Sequence, residues 1–159
     1  MGVKVIKMIN SLIAMHAITG ILAIFAFLLV FVELLTPTEK IIKRIQIFAY
    51  IGTILIFISW IVGGYYYVNY YGADVKPIIK QGSTPWVHSI IMETKEHVFL
   101  FLPFLAILTT GIIFSYADLL KNHKAKSSVL ILCALIVLIG LAITGMGYLI
   151  STGARAGVG

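Results

Sequence analysis

Three of the four histidines in this 159-residue chain lie in or beside apolar stretches, where they could bind a metal or a haem. His16 lies about two helical turns into the first apolar segment, and His88 and His97 open the third segment together with Glu93 and Glu96. Ionisable side chains are costly inside a membrane-spanning segment and therefore indicate a functional site. Imidazoles and carboxylates are also the side chains that most often ligate metals.

Helical spacing predicts which of the histidines in the third segment faces the centre. Glu93 and His97 are four residues apart and share one face of a helix. His88 and His97 are nine residues apart, which is about half a turn out of phase. We therefore expect His97 to turn inward toward His16. His88 would then face the surface, another ligand or a partner subunit.

Two imidazoles on different helices of a bundle commonly hold a b-type haem. We predict His16 and His97 as the metal ligands, with His88 and Gly20 as further cofactor-binding residues. Gly20 lies one turn after His16 and would leave room for the macrocycle. The alternative for His16 is a hydrogen bond to a neighbouring helix, and the alternative for His88 is a protein interface. For the glycines the alternative is close helix packing.

Four apolar segments would position these side chains, at residues 9–35, 45–68, 85–118 and 129–150, the third with a polar N-terminal extension. Each supplies the roughly 20 residues that cross about 30 Å of hydrocarbon as a helix. The chain is 60% hydrophobic and 11% charged, with a mean hydropathy of +1.06, so it has too little polar surface for a soluble globule. The sequence predicts one all-α transmembrane domain over residues 1–159, an integral membrane four-helix bundle with antiparallel up-down-up-down topology.

Prolines and a glycine mark the ends of the predicted helices. Pro37 is expected to end the first helix, because proline disfavours helix in the residue before it. Gly72 is expected to close the second helix after a tyrosine-rich end, where phenols suit the boundary between lipid and water. Pro85 predicts the start of the third helix, and Pro103 predicts a kink in its apolar part.

The basic residues determine the orientation only weakly, because they are divided equally. Six lysines or arginines follow the first and third segments, and six lie in the tails and the middle connection. The first six lie in shorter loops, which weigh most in the positive-inside rule. The first apolar stretch is too long for a signal peptide. We therefore expect a multi-pass protein of the inner (plasma) membrane with both termini on the outer face.

Several other classes of function are disfavoured. The net charge of +6 lies in loops and tails, so no nucleic-acid partner is expected. Cys133 is the only cysteine, which excludes an intrachain disulfide. No nucleotide-binding loop, zinc-protease motif or nucleophile elbow occurs, and the Glu-x-x-His spacing of di-metal carboxylate proteins is missing. Four methionines lie toward the same end as His16, and copper(I) favours such thioethers.

The pattern of histidines and glycines resembles a broad, uncharacterised family of bacterial four-span membrane proteins. The residues that carry the resemblance are His16, Gly63-Gly64, His88, Gly145-Met146-Gly147 and Gly157-Val158-Gly159. The chain departs from the family at the tail, where the family has a histidine and this sequence has Arg155 nearby. The resemblance implies a four-span bundle, sometimes encoded near respiratory or redox genes, and it supplies no reaction. More loosely, the chain is similar to small four-helix cytochromes b, with at most one haem.

We therefore predict a small redox subunit of a respiratory membrane complex that binds one haem b near the face bearing both termini. Electrons would pass between a quinone or a partner subunit and an acceptor on that face. Its partners would be the lipid bilayer and other membrane or surface redox subunits. One alternative is a cofactor-free accessory or structural subunit, and another is a copper-handling membrane protein. Whether the protein is an enzyme is left open by the sequence.

Overall fold

The structure, a computed structural model, describes the backbone of residues 3–121 and 123–157 and the side chains of residues 8–121 and 125–157. The chain is helical throughout these ranges apart from short turns, and they contain no strand. This confirms the predicted all-α class. The side chain of His123, two basic side chains of the N-terminal tail and the last two residues lie outside the described part.

The first two helices form where the sequence predicts them. Helix α1 spans Val3–Leu34, and α2 spans Glu39–Tyr66. Between them, the Thr38 side chain caps α2 by accepting a hydrogen bond from the Ile41 amide at 3.3 Å. A hydroxyl in this position satisfies one of the amides that a helix start leaves unpaired. The break predicted at Pro37 is therefore confirmed.

The sequence predicts that the second helix ends at Gly72. In the structure, helical segments continue past this residue as far as Gln81. A π-helical segment follows α2 over Tyr67–Val75, and α3 spans Lys76–Gln81. No glycine in the described chain has a positive φ, so Gly72 does not adopt the left-handed geometry that commonly ends a helix. The wider π turns carry the chain past this residue without a break.

The third predicted helix is divided into three pieces. A π-helical segment spans Val87–Met92, α4 spans Glu93–Val98, and α5 spans Phe101–Ser115. The break between α4 and α5 is the effect predicted for Pro103. Proline has no amide hydrogen and clashes with the carbonyl four residues earlier, and the carbonyl of Phe99 accepts from Leu102 instead, at 3.1 Å.

The last helix, α6, spans His123–Ala156 and follows a short 3₁₀ turn at Ala117–Lys121. Helix α1 packs against α2 and α6, and α5 packs against the same two helices. The early part of α1 contacts the late part of α2 through His16 and Ser59, and the end of α1 contacts the start of α2 through Glu33 and Arg44. Fully buried side chains from all four long helices fill the space between them, including those of Phe27, Ile45, Ile113 and Val129.

Within the described residues, four helical stretches are long and apolar enough to cross a membrane, as expected for a multi-pass membrane protein. They cover Met8–Leu34, Glu39–Gln81, Val87–Ser115 and Ala125–Ala156. They agree in number with the predicted segments and extend beyond most of their bounds. The second has 43 residues, which is about 60 Å at about 1.5 Å per residue and roughly twice the thickness of the hydrocarbon layer.

The Glu33–Arg44 ion pair leads to a prediction about stability. Glu33 Oε1 lies 2.7 Å from Arg44 Nη2, and the glutamate side chain is only 13% exposed. We expect Arg44→Met to lower the free energy of unfolding in detergent by about 1–3 kcal/mol, because the buried carboxylate loses its partner. The control is Lys121→Met, which breaks the exposed pair with Glu39. This variant should change the free energy by less than about 1 kcal/mol. Equal effects of the two variants would contradict the burial of Glu33.

Candidate functional site

His16 is held between α1 and α2 by a pair of hydrogen bonds. Its Nδ1 lies 2.8 Å from the main-chain oxygen of Ser59, and Ser59 Oγ donates to the main-chain oxygen of His16 at 2.9 Å. A carbonyl oxygen can only accept, so Nδ1 carries the proton, and in the neutral ring Nε2 is the free base. Among the described residues nothing hydrogen-bonds to Nε2. The arrangement matches the interhelical hydrogen bond that was one alternative for this residue.

Two glycines make this contact possible. A methyl group on Gly63 of α2 would lie 2.6 Å from His16 Nδ1, so the imidazole packs directly on the α2 backbone. A methyl group on Gly20 of α1 would lie 3.2 Å from Ser59 Oγ. Gly20 thus provides space for Ser59, which holds His16. The sequence predicted that Gly20 makes room for a cofactor, and in the structure its neighbour is this serine.

His88 forms the centre of a second polar cluster. The His88 side chain is 2% exposed, and its Nδ1 lies 3.0 Å from the hydroxyl of Tyr71, which is 1% exposed. On the opposite side of the ring, Nε2 lies 3.5 Å from Glu93 Oε1. Tyr71 and His88 Nδ1 share a hydrogen bond, and the imidazole therefore joins the two π-helical segments. The Glu93 carboxylate lies beside the other ring nitrogen.

His97 faces away from this cluster. Its side chain is exposed, and Nδ1 donates to the main-chain oxygen of Glu93 at 2.6 Å within α4. The prediction that His97 turns inward and His88 outward is therefore wrong in this structure. The two histidines do lie on opposite sides, as the nine-residue spacing predicts, but His88 is the one that turns inward, where it contacts Tyr71 and Glu93.

Lys95 occupies the inward position that the sequence assigned to His97. Its Nζ would lie 3.4 Å from a methyl group on Gly147 of α6. A helix turns by about 100° per residue, so Lys95 and His97 point about 200° apart. The structure thus directs Lys95 toward α6 and leaves His97 exposed, so it does not bring His16 and His97 together.

Aromatic and acidic side chains surround His88. Tyr67 stacks on Tyr71 with ring centroids 5.4 Å apart, and its hydroxyl lies beside the carboxylate of Glu96. Glu96 Oε1 is buried and has no hydrogen-bond partner among the described residues. Sequence reasoning assigned the tyrosines to the membrane boundary and missed this contact. The available signal was the repeat of tyrosines four residues apart, at Tyr67 and Tyr71, which places two phenols on one helical face.

The methionines do not converge on His16. Met8 and Met15 are 42% and 45% exposed, whereas Met92 is buried in the cluster that contains Tyr71, the hydrogen-bond partner of His88. Within residues 8–121 and 125–157, no group of three or more histidine, cysteine, aspartate or glutamate side chains is placed to hold a metal ion.

No family model, curated protein or solved structure matches this chain. The resemblance to the bacterial four-span family therefore stays a prediction, and the terminal Val158 and Gly159 on which it partly rests lie beyond the described residues. The contacts of His16, His88 and Lys95 therefore carry the functional proposal.

Proposed function

We propose that the chain is an integral membrane protein that crosses the inner membrane four times as an antiparallel up-down-up-down bundle. The contacts of His16 with Ser59 and of Glu33 with Arg44 support this, because they join opposite ends of α1 and α2. An even number of spans places both termini and the connection around Pro85 on one face. The denser basic residues in the two short loops favour the outer face for the termini.

We further propose that the protein is a small redox subunit that binds one b-type haem through His16. The observation that supports this is the hydrogen bond of His16 Nδ1 to the Ser59 carbonyl at 2.8 Å. Histidines that ligate metals usually donate their second ring nitrogen to a carbonyl or carboxylate, which fixes the tautomer and leaves the other nitrogen for the metal. His16 meets this requirement with Nε2.

Of the two histidines predicted to hold a haem, His16 could do so in the present arrangement and His97 could not. His97 also has Nδ1 bound to a carbonyl, but its side chain is exposed and lies on the face of α4 opposite to Lys95. A haem between His16 and His97 would require α4 to rotate about its axis. Without that rotation, His16 is the single histidine of the pair that faces the interior.

When bound, a b-type haem would carry one electron between a quinone or a partner subunit and an acceptor on the face bearing the termini. His16 would set its position, and the Ser59 carbonyl would raise the basicity of the ligand. The apolar surroundings of α1 and α2 would exclude water and thereby influence the reduction potential.

The test is a reduced-minus-oxidised visible spectrum of the protein purified in detergent, compared with His16→Ala and His97→Ala. We expect α and Soret bands that are lost in His16→Ala and kept in His97→Ala, because only His16 faces the interior. Loss of the bands in both variants would show that α4 rotates and that both histidines are ligands. A wild-type protein that stays colourless after reconstitution with haem would reject the proposal.

A cofactor-free accessory subunit is the second candidate, and one observation favours it. His88 is hydrogen-bonded to Tyr71 and lies beside Glu93, so this histidine serves as a link between helices. In an accessory subunit of this kind, His16 and His88 would only join helices. The protein would then fold and assemble with its partners without binding haem. Copper handling has no comparable support, since Met8 and Met15 are exposed and make no shared site with His16.

A further inference from the structure

We propose that Lys95 binds an anionic oxygen group, either a carboxylate or a phosphate, between α4 and α6. The proposal goes beyond the proposed function, because two sources could supply such a group. One source is a propionate of a haem held by His16, and in that case the inference rests on the proposed function. The other is the phosphate of an anionic lipid.

The position of the ammonium group is the first observation. Lys95 is half-buried, with Nζ over Gly147 of α6. Helix α4 packs against α6, so the lysine side chain lies between the two helices. The charge is therefore held at a defined place.

The absence of a counter-charge is the second observation. Lys95 has acidic neighbours in sequence, but Glu93 turns toward His88 and Glu96 lies beside Tyr67. Adjacent residues of a helix do not face each other, which explains why neither carboxylate reaches Nζ. In the described part of the chain, Lys95 has no hydrogen bond and no carboxylate within 4.0 Å. A desolvated ammonium without a partner is costly, so an external anion would be stabilised there.

Space beside the ammonium is the third observation. Nζ of Lys95 is the one side-chain atom of the described residues that lies within 4 Å of a methyl group placed on Gly147. No other side chain therefore covers α6 at Gly147, next to the ammonium group. Lys95 lies in α4, which precedes the apolar helix α5.

The experiment compares the wild type with Lys95→Met, Lys95→Arg and the control Lys80→Met, which removes an exposed lysine of α3. In a neutral detergent, each protein is titrated with haem, haem dimethyl ester, phosphatidylglycerol, phosphatidylcholine and inorganic phosphate. Dissociation constants and thermal midpoints are recorded. The diester lacks the carboxylates of haem, and phosphatidylcholine has no net negative charge. The two comparisons therefore distinguish the sources.

We expect Lys95→Met to weaken binding of haem or of phosphatidylglycerol by about tenfold or more, which is the loss of one charge-assisted hydrogen bond. Lys95→Arg and Lys80→Met should bind like the wild type. The preference for haem over its diester, or for phosphatidylglycerol over phosphatidylcholine, should disappear in Lys95→Met alone. Without ligand, Lys95→Met should be at least as stable as the wild type, because it removes an unpaired charge.

The proposal is overturned if Lys95→Met binds every probe like the wild type, if Lys80→Met loses as much affinity, or if the wild type binds none of the anions. Failure of the proposed function is a separate result. If neither haem nor its diester binds to the wild type, the haem assignment is rejected. The inference about Lys95 is then decided by phosphatidylglycerol and inorganic phosphate alone.

Discussion

Adding one methyl group at Gly63 should destabilise the protein, whereas the same change at Gly64 should not. In Gly63→Ala the new Cβ would lie 2.6 Å from His16 Nδ1, and this contact forces the imidazole away from the Ser59 carbonyl. We expect a loss of about 1–3 kcal/mol in the free energy of unfolding, as for other overpacked sites. The measurement is unfolding in detergent with increasing sodium dodecyl sulfate, followed by circular dichroism.

Gly64→Ala is the matched control for this substitution. Its Cβ would meet nothing within 4 Å, and both changes improve helix propensity equally. Gly64→Ala should therefore be neutral, or more stable by up to about 1 kcal/mol. A Gly63→Ala protein as stable as Gly64→Ala would show that His16 does not pack against α2. Nitrogen NMR of the His16 ring would report directly whether the Nδ1 hydrogen bond persists.

His88→Ala should be the most destabilising substitution among the histidines. It removes a fully buried side chain and leaves the Tyr71 hydroxyl without its hydrogen-bond partner. The cavity and the unpaired hydroxyl together should lower the free energy of unfolding by about 2–5 kcal/mol. Tyr71→Phe should cost less, about 1–3 kcal/mol, because it leaves only His88 Nδ1 unpaired. The same unfolding assay in detergent measures both.

The control for His88→Ala is His97→Ala, which lies nine residues later on an exposed face. Its loss should change the free energy by no more than about 0.5 kcal/mol, since surface substitutions rarely do more. The double variant of Tyr71→Phe with His88→Ala should be less destabilised than the sum of the two, because the residues share one bond. Additive effects, or a larger loss at His97, would contradict the assigned positions of the two histidines.

The helical class and the number of long apolar helices could be predicted from the sequence, because these features depend on local composition. Runs without period-two alternation and about 20 residues long have few alternatives to helix in lipid. The break at Pro37 was equally predictable, since proline acts through its own covalent geometry. The continuation past Gly72 was not, because a glycine ends a helix only when the chain adopts a left-handed conformation there.

The candidate site could be predicted in part. His16 was identified from its cost in an apolar helix, but Ser59 lies 43 residues away, and no local pattern joins them. The nine-residue spacing predicted that His88 and His97 face opposite ways, but not which of them faces inward. That depends on Tyr71, which lies 17 residues from His88 in the sequence and contacts it. Lys95 was counted only as a basic residue for orientation, although it lies seven residues after His88 and thus near the same face of a regular helix.

The 43-residue stretch from α2 to α3 ends beside the last turn of α6. A methyl group on Gly82 would lie 3.0 Å from the Gly157 Cα atom, and one on Gly157 would lie 2.7 Å from the Ile78 carbonyl oxygen. Two segments far apart in the sequence thus meet backbone to backbone at one end of the bundle. A larger residue at either glycine would push these two segments apart.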